Sequence, residues 1–372
     1  PIQKKAIPVI LDGGDVIACA ETGTGKTAAF MLPILQALKA QRKRGISVLV
    51  LAPTRELANQ IETACRTFAP KGITSAAIIG GAGYGKQTQA LKAGVNILIA
   101  TPGRLIDFME QGMVNFNNLT TLVLDEADRM LDMGFLPAIK RIVKAVPKDR
   151  QTLFFSATMS LEMEAIAMEI VRDPEFIEVG KRGTAAKTIE QLAYPVAQQH
   201  KMPLLLDLLA TEPFERVLVF TRTKRGADRL ANVLEKWDHK SNRIHGDRSQ
   251  SQREAALRSF KTGRSNILVA TDVAARGIDI HSVSHVINYD VPEVPEDYVH
   301  RIGRTGRAGN KGRAITLFTA TEEQSIKAIE KLIGTNVERI LLPQFGGSIQ
   351  VASGPSAEKR SLRSFRPRRR GR

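Results

Sequence analysis

The chain has little of what would mark it as secreted, disulfide-bonded or membrane-embedded. Only two of its 372 residues are cysteines, Cys19 and Cys65. They show no Cys-x-x-Cys spacing, so both read as packing residues and a reducing, cytoplasmic setting is expected. No apolar run reaches the roughly 18 residues of a membrane span, and no basic amphipathic helix favours a membrane surface. Lys4-Lys5 followed by Ala6 to Leu11 mimics a secretory leader, but Asp12 cuts that apolar stretch short. Aromatic residues make up 5% of the chain, with one Trp. Stacking platforms for successive bases are therefore scarce.

What is abundant is positive charge. The net charge of +16 and a pI near 10.0 call for a polyanionic partner, most simply nucleic acid. A hydrophobic fraction of 43% and a charged fraction of 25% are those of a soluble globular protein, and the length suits two domains. The chain begins at Pro1, so the native start is expected to lie upstream.

Two stretches carry the chemistry. Thr121 to Leu124 reads as a short buried strand that delivers Asp125-Glu126-Ala127-Asp128 to its carboxyl end, where open α/β sheets hold ligands. Carboxylates gathered there need a cation or hydrogen-bond donors. Upstream, the strand Val16 to Cys19 runs into Ala20-Glu21-Thr22-Gly23-Thr24-Gly25-Lys26-Thr27 and then a helical pattern, Ala28 to Leu38. That is the context of a phosphate loop: backbone N–H groups converge on phosphate, Lys26 adds charge, and Thr27 is placed to ligate Mg²⁺. Together the stretches specify a nucleoside triphosphatase.

Between them strands and helices alternate, with strands at Ser47 to Leu51, Ser75 to Ile79 and Asn96 to Ala100 and helices at Glu56 to Phe68 and Leu105 to Gln111. Alternation predicts a parallel sheet covered on both faces. Strand ends carry Pro53-Thr54-Arg55-Glu56, Gly80-Gly81 and Thr101-Pro102-Gly103-Arg104. Thr54 and Thr101 are expected to cap helices; the shared rim also suits a phosphate backbone. Gln151 to Phe155 is a further strand. Ser156 and Thr158 behind it are placed to bond Asp128 if the two strands are neighbours. The helix Leu161 to Val171 and the strand Phe176 to Val179 precede Gly180 to Ala186, which lacks periodicity and reads as a linker.

The second half repeats the layout, with strands at Arg216 to Phe220, Asn266 to Thr271 and His285 to Asn288 and helices at Gly226 to Trp237 and Gln252 to Phe260. It has no phosphate loop; it supplies arginines. Asp297 to Arg307 reads in isolation as a basic turn, and near a bound triphosphate Arg304 and Arg307 would serve as arginine fingers. Ala270-Thr271-Asp272 and Arg276-Gly277-Ile278-Asp279 form another polar cluster, with Asp279 placed to accept from a ribose hydroxyl.

Asp125-Glu126-Ala127-Asp128 spells the motif of the DEAD-box ATP-dependent RNA helicases. The family's other motifs follow in order at Gln3, Ala20 to Thr27, Pro53 to Leu57, Gly80-Gly81, Thr101 to Arg104, Ser156 to Thr158, Val219 to Thr223, Gln250 to Arg253, Ala270 to Asp279 and His300 to Arg307. Gly226-Ala227-Asp228 and Val291-Pro292 look most like the bacterial RhlE-type branch.

The resemblance implies two tandem RecA-like domains, residues 1–182 and 183–345, with ATP between them and RNA across both. It implies that Gln3 reads adenine and that Thr22, Gly23, Thr24, Gly25, Lys26 and Thr27 hold the phosphates. Thr27, and Asp125 through water, would bind Mg²⁺, while Glu126 acts on the attacking water. Lys26, Asp125, Arg304 and Arg307 complete the catalytic set, and Asp279 contacts ribose. Asp128, Ser156, Thr158 and His300 would couple the halves. Arg55, Gly81, Thr101, Arg104, Arg222, Arg253 and Thr271 would line a track for single-stranded and duplex RNA, contacted through its backbone.

An aromatic residue that in the family stacks on adenine lies upstream of Gln3, outside this sequence. Ribosomal precursors and RNA-decay assemblies are the settings such enzymes suggest. A DNA-translocating helicase commonly carries His where Asp128 stands. A non-hydrolysing ATP-gated clamp would not need Glu126, Arg304 and Arg307. Residues 346–372 are expected to form a disordered basic tail; from Gly354 to Arg372 it carries eight Lys or Arg against one Glu.

Overall fold

The computed structural model describes residues 1–345 except 21–23, 41–44, 160, 180–188, 212, 276–282 and 307–311. Thr22, Gly23, Asp279, Arg307, the expected linker and the basic tail therefore lie outside the described residues.

Short runs of Val, Ile, Leu and Ala form the first seven strands: β1 (Val16–Ala20), β2 (Val48–Leu51), β3 (Ser75–Ile78), β4 (Ile97–Ala100), β5 (Thr121–Leu124), β6 (Gln151–Ser156) and β7 (Glu175–Val179). They make one parallel sheet in the order β3-β4-β2-β5-β6-β1-β7. Both faces are apolar because both are covered by helices. In β1, Val16, Ala18 and Ala20 join one core, whereas Ile17 and Cys19 join the other. Both cysteines are buried, and the Cys19 thiol donates to the Ala157 carbonyl at 3.5 Å.

A second parallel sheet follows, built from β8 (Ile189–Pro195), β9 (Val217–Phe220), β10 (Ser241–Ile244), β11 (Ile267–Ala270), β12 (His285–Asn288), β13 (Gly312–Phe318) and β14 (Glu338–Arg339), in the order β10-β11-β9-β12-β13-β8-β14. Val217 and Val219 of β9 enter one core, Leu218 and Phe220 the other. This is the tandem RecA-like α/β architecture.

The register decides where functional side chains gather. Leu124 pairs with Leu51 and Phe154, and Cys19 with Ser156, so the carboxyl ends of β1, β2, β5 and β6 lie side by side. In the second sheet Phe220 pairs with Ala270 and with Asn288, which aligns the segments after β9, β11 and β12 in the same way.

Several local expectations change. The second sheet has four strands that the sequence pattern did not single out, β8, β10, β13 and β14. Two of them, Ile189–Pro195 and Ser241–Ile244, alternate or mix polar residues rather than forming apolar runs. The stretch from Asp297 is no simple turn, because Pro295–Ile302 is a helix with Pro295 in its first turn. Thr54 caps its helix by accepting from the Leu57 N–H at 3.2 Å. Thr101 does not cap; its hydroxyl accepts from the Gly80 N–H at 3.3 Å. Among the described residues no helix is long and apolar enough to cross a membrane.

Candidate active site between the two sheets

The loop after β1 leads into the helix Lys26–Ala40. Gly25 stands at φ +91°, and a Cβ there would lie 2.5 Å from Gln3 Nε2, so the position requires glycine. Gln3 donates through Nε2 to the Gly25 carbonyl at 3.3 Å, which seats it directly on this loop. Lys26 is buried, and its Nζ donates to the Ala20 carbonyl at 2.8 Å. Thr24 and Thr27 flank Gly25 and Lys26 at half-buried positions.

Asp125, Glu126 and Asp128 are all buried at the end of β5. Burial pushes the Asp125 carboxyl up to about 7, against the pull of Lys26. Glu126 behaves in the opposite way. Burial opposes its ionisation, but Arg129, Lys26 and Arg304 together outweigh that and hold it below the usual carboxylate range. Its backbone sits in the left-handed region, φ 52° and ψ 51°, a conformation costing roughly 1–3 kcal/mol for a residue with a side chain. The Arg129 guanidinium donates to Glu126 Oε2 at 2.7 Å and fixes the carboxylate.

Asp128 faces the neighbouring strand end. Its Oδ2 accepts from the backbone N–H groups of Ala157 and Thr158 at 3.1 and 2.9 Å and from the Thr158 hydroxyl at 3.0 Å. Ser156 donates instead to the Thr158 carbonyl at 2.6 Å, and so shapes the loop rather than touching Asp128. From the second sheet, His300 Nε2 lies 3.8 Å from Asp128 Oδ2. Arg304, one turn further on, donates through Nε to the His300 carbonyl at 3.3 Å. A small, open depression lies here, lined by Arg129 of the first half and by Asp272, Asp297, His300 and Arg304 of the second.

A second junction holds the expected nucleic-acid residues. Arg253 Nη2 meets Glu56 Oε1 at 2.9 Å, joining a helix after β10 to one after β2. Burial, with Arg253 and Arg104 nearby, pushes the Arg55 guanidinium down from its ordinary value. Gly81, at φ +69°, leaves room for Arg55: an ideal Cβ would fall on its guanidinium. Arg104 is buried, donating to the Ala82 carbonyl at 3.1 Å beneath the Tyr84 ring, 4.0 Å from its centroid. Arg55, Gly81, Thr101, Arg104 and Arg253 are thus brought together. Arg222 stands apart in an ion-pair cluster with Glu322, and Thr271 is buried at the end of β11.

Some site residues had no strong sequence signal. Arg129 is one; its position three residues after Glu126 on a helix was the available clue. Arg301 is another. It is buried and donates to both Asp272 oxygens at 2.6 Å and to the Asp290 carbonyl at 2.7 Å, with Phe220 beneath it at 5.0 Å. It ties the segments after β11 and β12 to the end of β9.

Comparison with known proteins agrees with this geometry. The DEAD/DEAH box helicase profile matches residues 1–166, and the helicase conserved C-terminal domain profile matches residues 200–309. The chain is 44% identical over 379 residues to DEAD-box ATP-dependent RNA helicase 30 of Arabidopsis thaliana. That alignment takes in all of this chain but 64% of the relative, so the chain spans under two thirds of its length. A structure of Saccharomyces cerevisiae Dbp5 bound to RNA and ADP BeF3 superposes with TM-score 0.83 at 32% identity, covering 91% of this chain and 89% of that one. A DEAD box protein from Methanococcus jannaschii is 40% identical over 91% of this chain and 92% of its own, yet superposes with TM-score 0.55. With both profiles matched in order and the motif residues converging between the sheets, the chain belongs to the DEAD-box RNA helicase family.

Proposed function

We propose that this chain is an RNA-dependent ATPase that unwinds or remodels RNA duplexes and RNA–protein complexes locally and without sequence specificity. The observation that carries the reading is the meeting of two halves at the acidic cluster: Lys26 acts on Asp125 and Glu126 from its own half, while Arg304 acts on Glu126 and His300 lies 3.8 Å from Asp128 from the other. Phosphoryl transfer depends on positioning and charge compensation more than on covalent chemistry, so dividing the compensating groups makes hydrolysis conditional on closure.

In this reading Gln3 recognises adenine while it braces the phosphate loop. Lys26 leaves the Ala20 carbonyl for the phosphates, with Thr22, Gly23, Thr24 and Gly25 supplying backbone donors. Arg129 orients Glu126 toward the attacking water. Arg304 and Arg307 neutralise charge on the transferred group, and Asp279 contacts ribose. Asp128, held by Thr158 and facing His300, links the phosphate site to the other half; Ser156 shapes the loop that makes this link.

The residues present suit Mg²⁺. A buried carboxyl raised to about 7 lacks compensation that a divalent cation provides, and Thr27 offers a hydroxyl nearby in sequence. Among the described residues no group of three His, Cys, Asp or Glu could hold a metal alone, as expected of an ion that takes most of its ligands from phosphate and water. When bound, Mg²⁺ would neutralise phosphate charge, with Thr27 and, through water, Asp125 holding it.

Arg55, Gly81, Thr101, Arg104 and Arg253 form the RNA track, extended by Arg222 and Thr271. Guanidiniums converge here from the two halves with Glu56 as their nearby carboxylate, and a polyanion would compensate the remaining positive charge, which couples RNA binding to closure. Such a surface contacts sugar and phosphate and so reads shape rather than sequence.

We further assign domain limits of 1–182 and 183–345, a basic tail at 346–372, the RhlE-type branch, a cytoplasmic location, and ribosomal precursors or RNA-decay assemblies as settings. Strand displacement from a short labelled RNA duplex tests the central reading. Release should require ATP and be lost in Glu126→Gln; ATP-independent release at the same rate would contradict it.

A further inference from the structure

Beside the segment that follows β9 lies a charge cluster that the hydrolytic cleft does not use. Lys201 opens the helix Lys201–Thr211 and is fully buried. Its Nζ lies 3.0 Å from Glu322 Oε2 and 3.8 Å from Asp290 Oδ1. A buried ammonium is costly without counter-charges, and these two carboxylates supply them.

Both carboxylates also hold Arg222. Glu322 Oε1 accepts from the Arg222 Nη2 at 2.8 Å, and Asp290 Oδ2 accepts from the Arg222 backbone N–H at 2.9 Å. Glu322 is itself fixed by the Thr319 N–H at 2.9 Å and the Thr319 hydroxyl at 3.0 Å. Burial opposes its ionisation, but the Thr319 backbone N–H and Lys201 hold the carboxyl below its ordinary value. Arg222 therefore has its backbone anchored and its guanidinium held by Glu322, with the exposed Glu293 3.8 Å from its Nε, while its side chain stays 44% exposed. A long side chain held in place beforehand loses less freedom on binding.

We propose that Lys201, acting through Glu322 and Asp290, is a positioning residue that presents Arg222 to the RNA backbone. The inference rests on the reading of Arg222 as an RNA contact. It assigns a binding function to a buried lysine far in sequence from Val219 to Thr223.

The test measures RNA affinity of the full chain with a non-hydrolysable ATP analogue, across a salt series, for Lys201→Met, Glu322→Gln, Arg222→Ala and the doubles with Arg222→Ala. Each single variant should weaken binding roughly five- to tenfold. Each should also lower the slope of log K against log salt by about 0.7, the loss of one phosphate contact. In the Arg222→Ala background, Lys201→Met or Glu322→Gln should add less than about twofold, because the route they act through is gone. If Lys201→Met does not fold, the nearly isosteric Glu322→Gln and its double carry the same comparison. Additive losses with an unchanged salt slope would overturn the positioning role while leaving Arg222 as an RNA contact. Unchanged RNA binding in Arg222→Ala would overturn the RNA role of Arg222 and this inference with it.

Discussion

Glu56 and Arg253 stand on helices that flank different sheets, yet their side chains meet at 2.9 Å, with 6% and 11% of their surfaces exposed. A buried ion pair across two halves acts as a latch, since opening leaves each charge without its partner. Arg55, the residue before Glu56, shares this environment with Arg253 and Arg104. The latch therefore sits inside the proposed RNA track, so RNA and closure act on the same atoms.

Breaking the latch should weaken closure. Glu56→Gln leaves Arg253 without its carboxylate, at a cost of about 2–5 kcal/mol for a desolvated pair. The RNA concentration giving half-maximal ATPase should rise by roughly 30-fold or more, and Glu56→Arg combined with Arg253→Glu should recover part of the loss. An unaltered RNA dependence in Glu56→Gln would show that the contact does not hold the halves together.

Glu126 and Arg304 should separate binding from chemistry. Glu126→Gln keeps the side-chain shape and should retain ATP-dependent RNA binding while hydrolysis falls by about 10²–10⁴. Arg304→Ala should lose about 10³ or more in hydrolysis and also loosen the closed form. Single-turnover hydrolysis alongside RNA binding distinguishes the two variants; equal loss of RNA binding in both would contradict the division of roles.

Asp125 predicts a pH dependence. Its folded-state value of about 7 lies above the ordinary 3.8, so the folded chain keeps a proton that the unfolded chain releases. Without nucleotide, stability should fall as pH rises from about 4 to about 7, and this contribution should level off above that. Asp125→Asn, which resembles the protonated form, should flatten the curve across that window. Urea denaturation at a series of pH values checks this, and identical curves for the two proteins would refute it.

The sheet frame was legible because parallel strands buried on both faces read as apolar runs: Val16 to Cys19 and Thr121 to Leu124 need no tertiary information. The loop after β1 and the acidic cluster were legible for the same reason, each being contiguous in sequence and attached to such a strand. Ser241–Ile244 was not, because Asn242 and Arg243 break the apolar pattern and its place is set by pairing with β11. The contacts between the two halves were beyond reach of local pattern. Glu56 and Arg253 each look like ordinary helix residues, and nothing in either segment announces the other. Thr101 illustrates a closer miss, since Thr before Pro is a good capping signal, yet the adjacent Gly80 N–H takes the hydroxyl.

The central claim, that RNA drives hydrolysis by bringing the two halves together, is tested most directly by the steady-state ATPase rate of the full chain. The rate is measured with RNA, with a DNA oligonucleotide of the same sequence, and with neither. The account predicts strong stimulation by RNA alone, because a track suited to sugar and phosphate favours the ribose backbone. Equal stimulation by DNA would remove the 2′-hydroxyl argument, and equal rates under all three conditions would contradict coupling through closure.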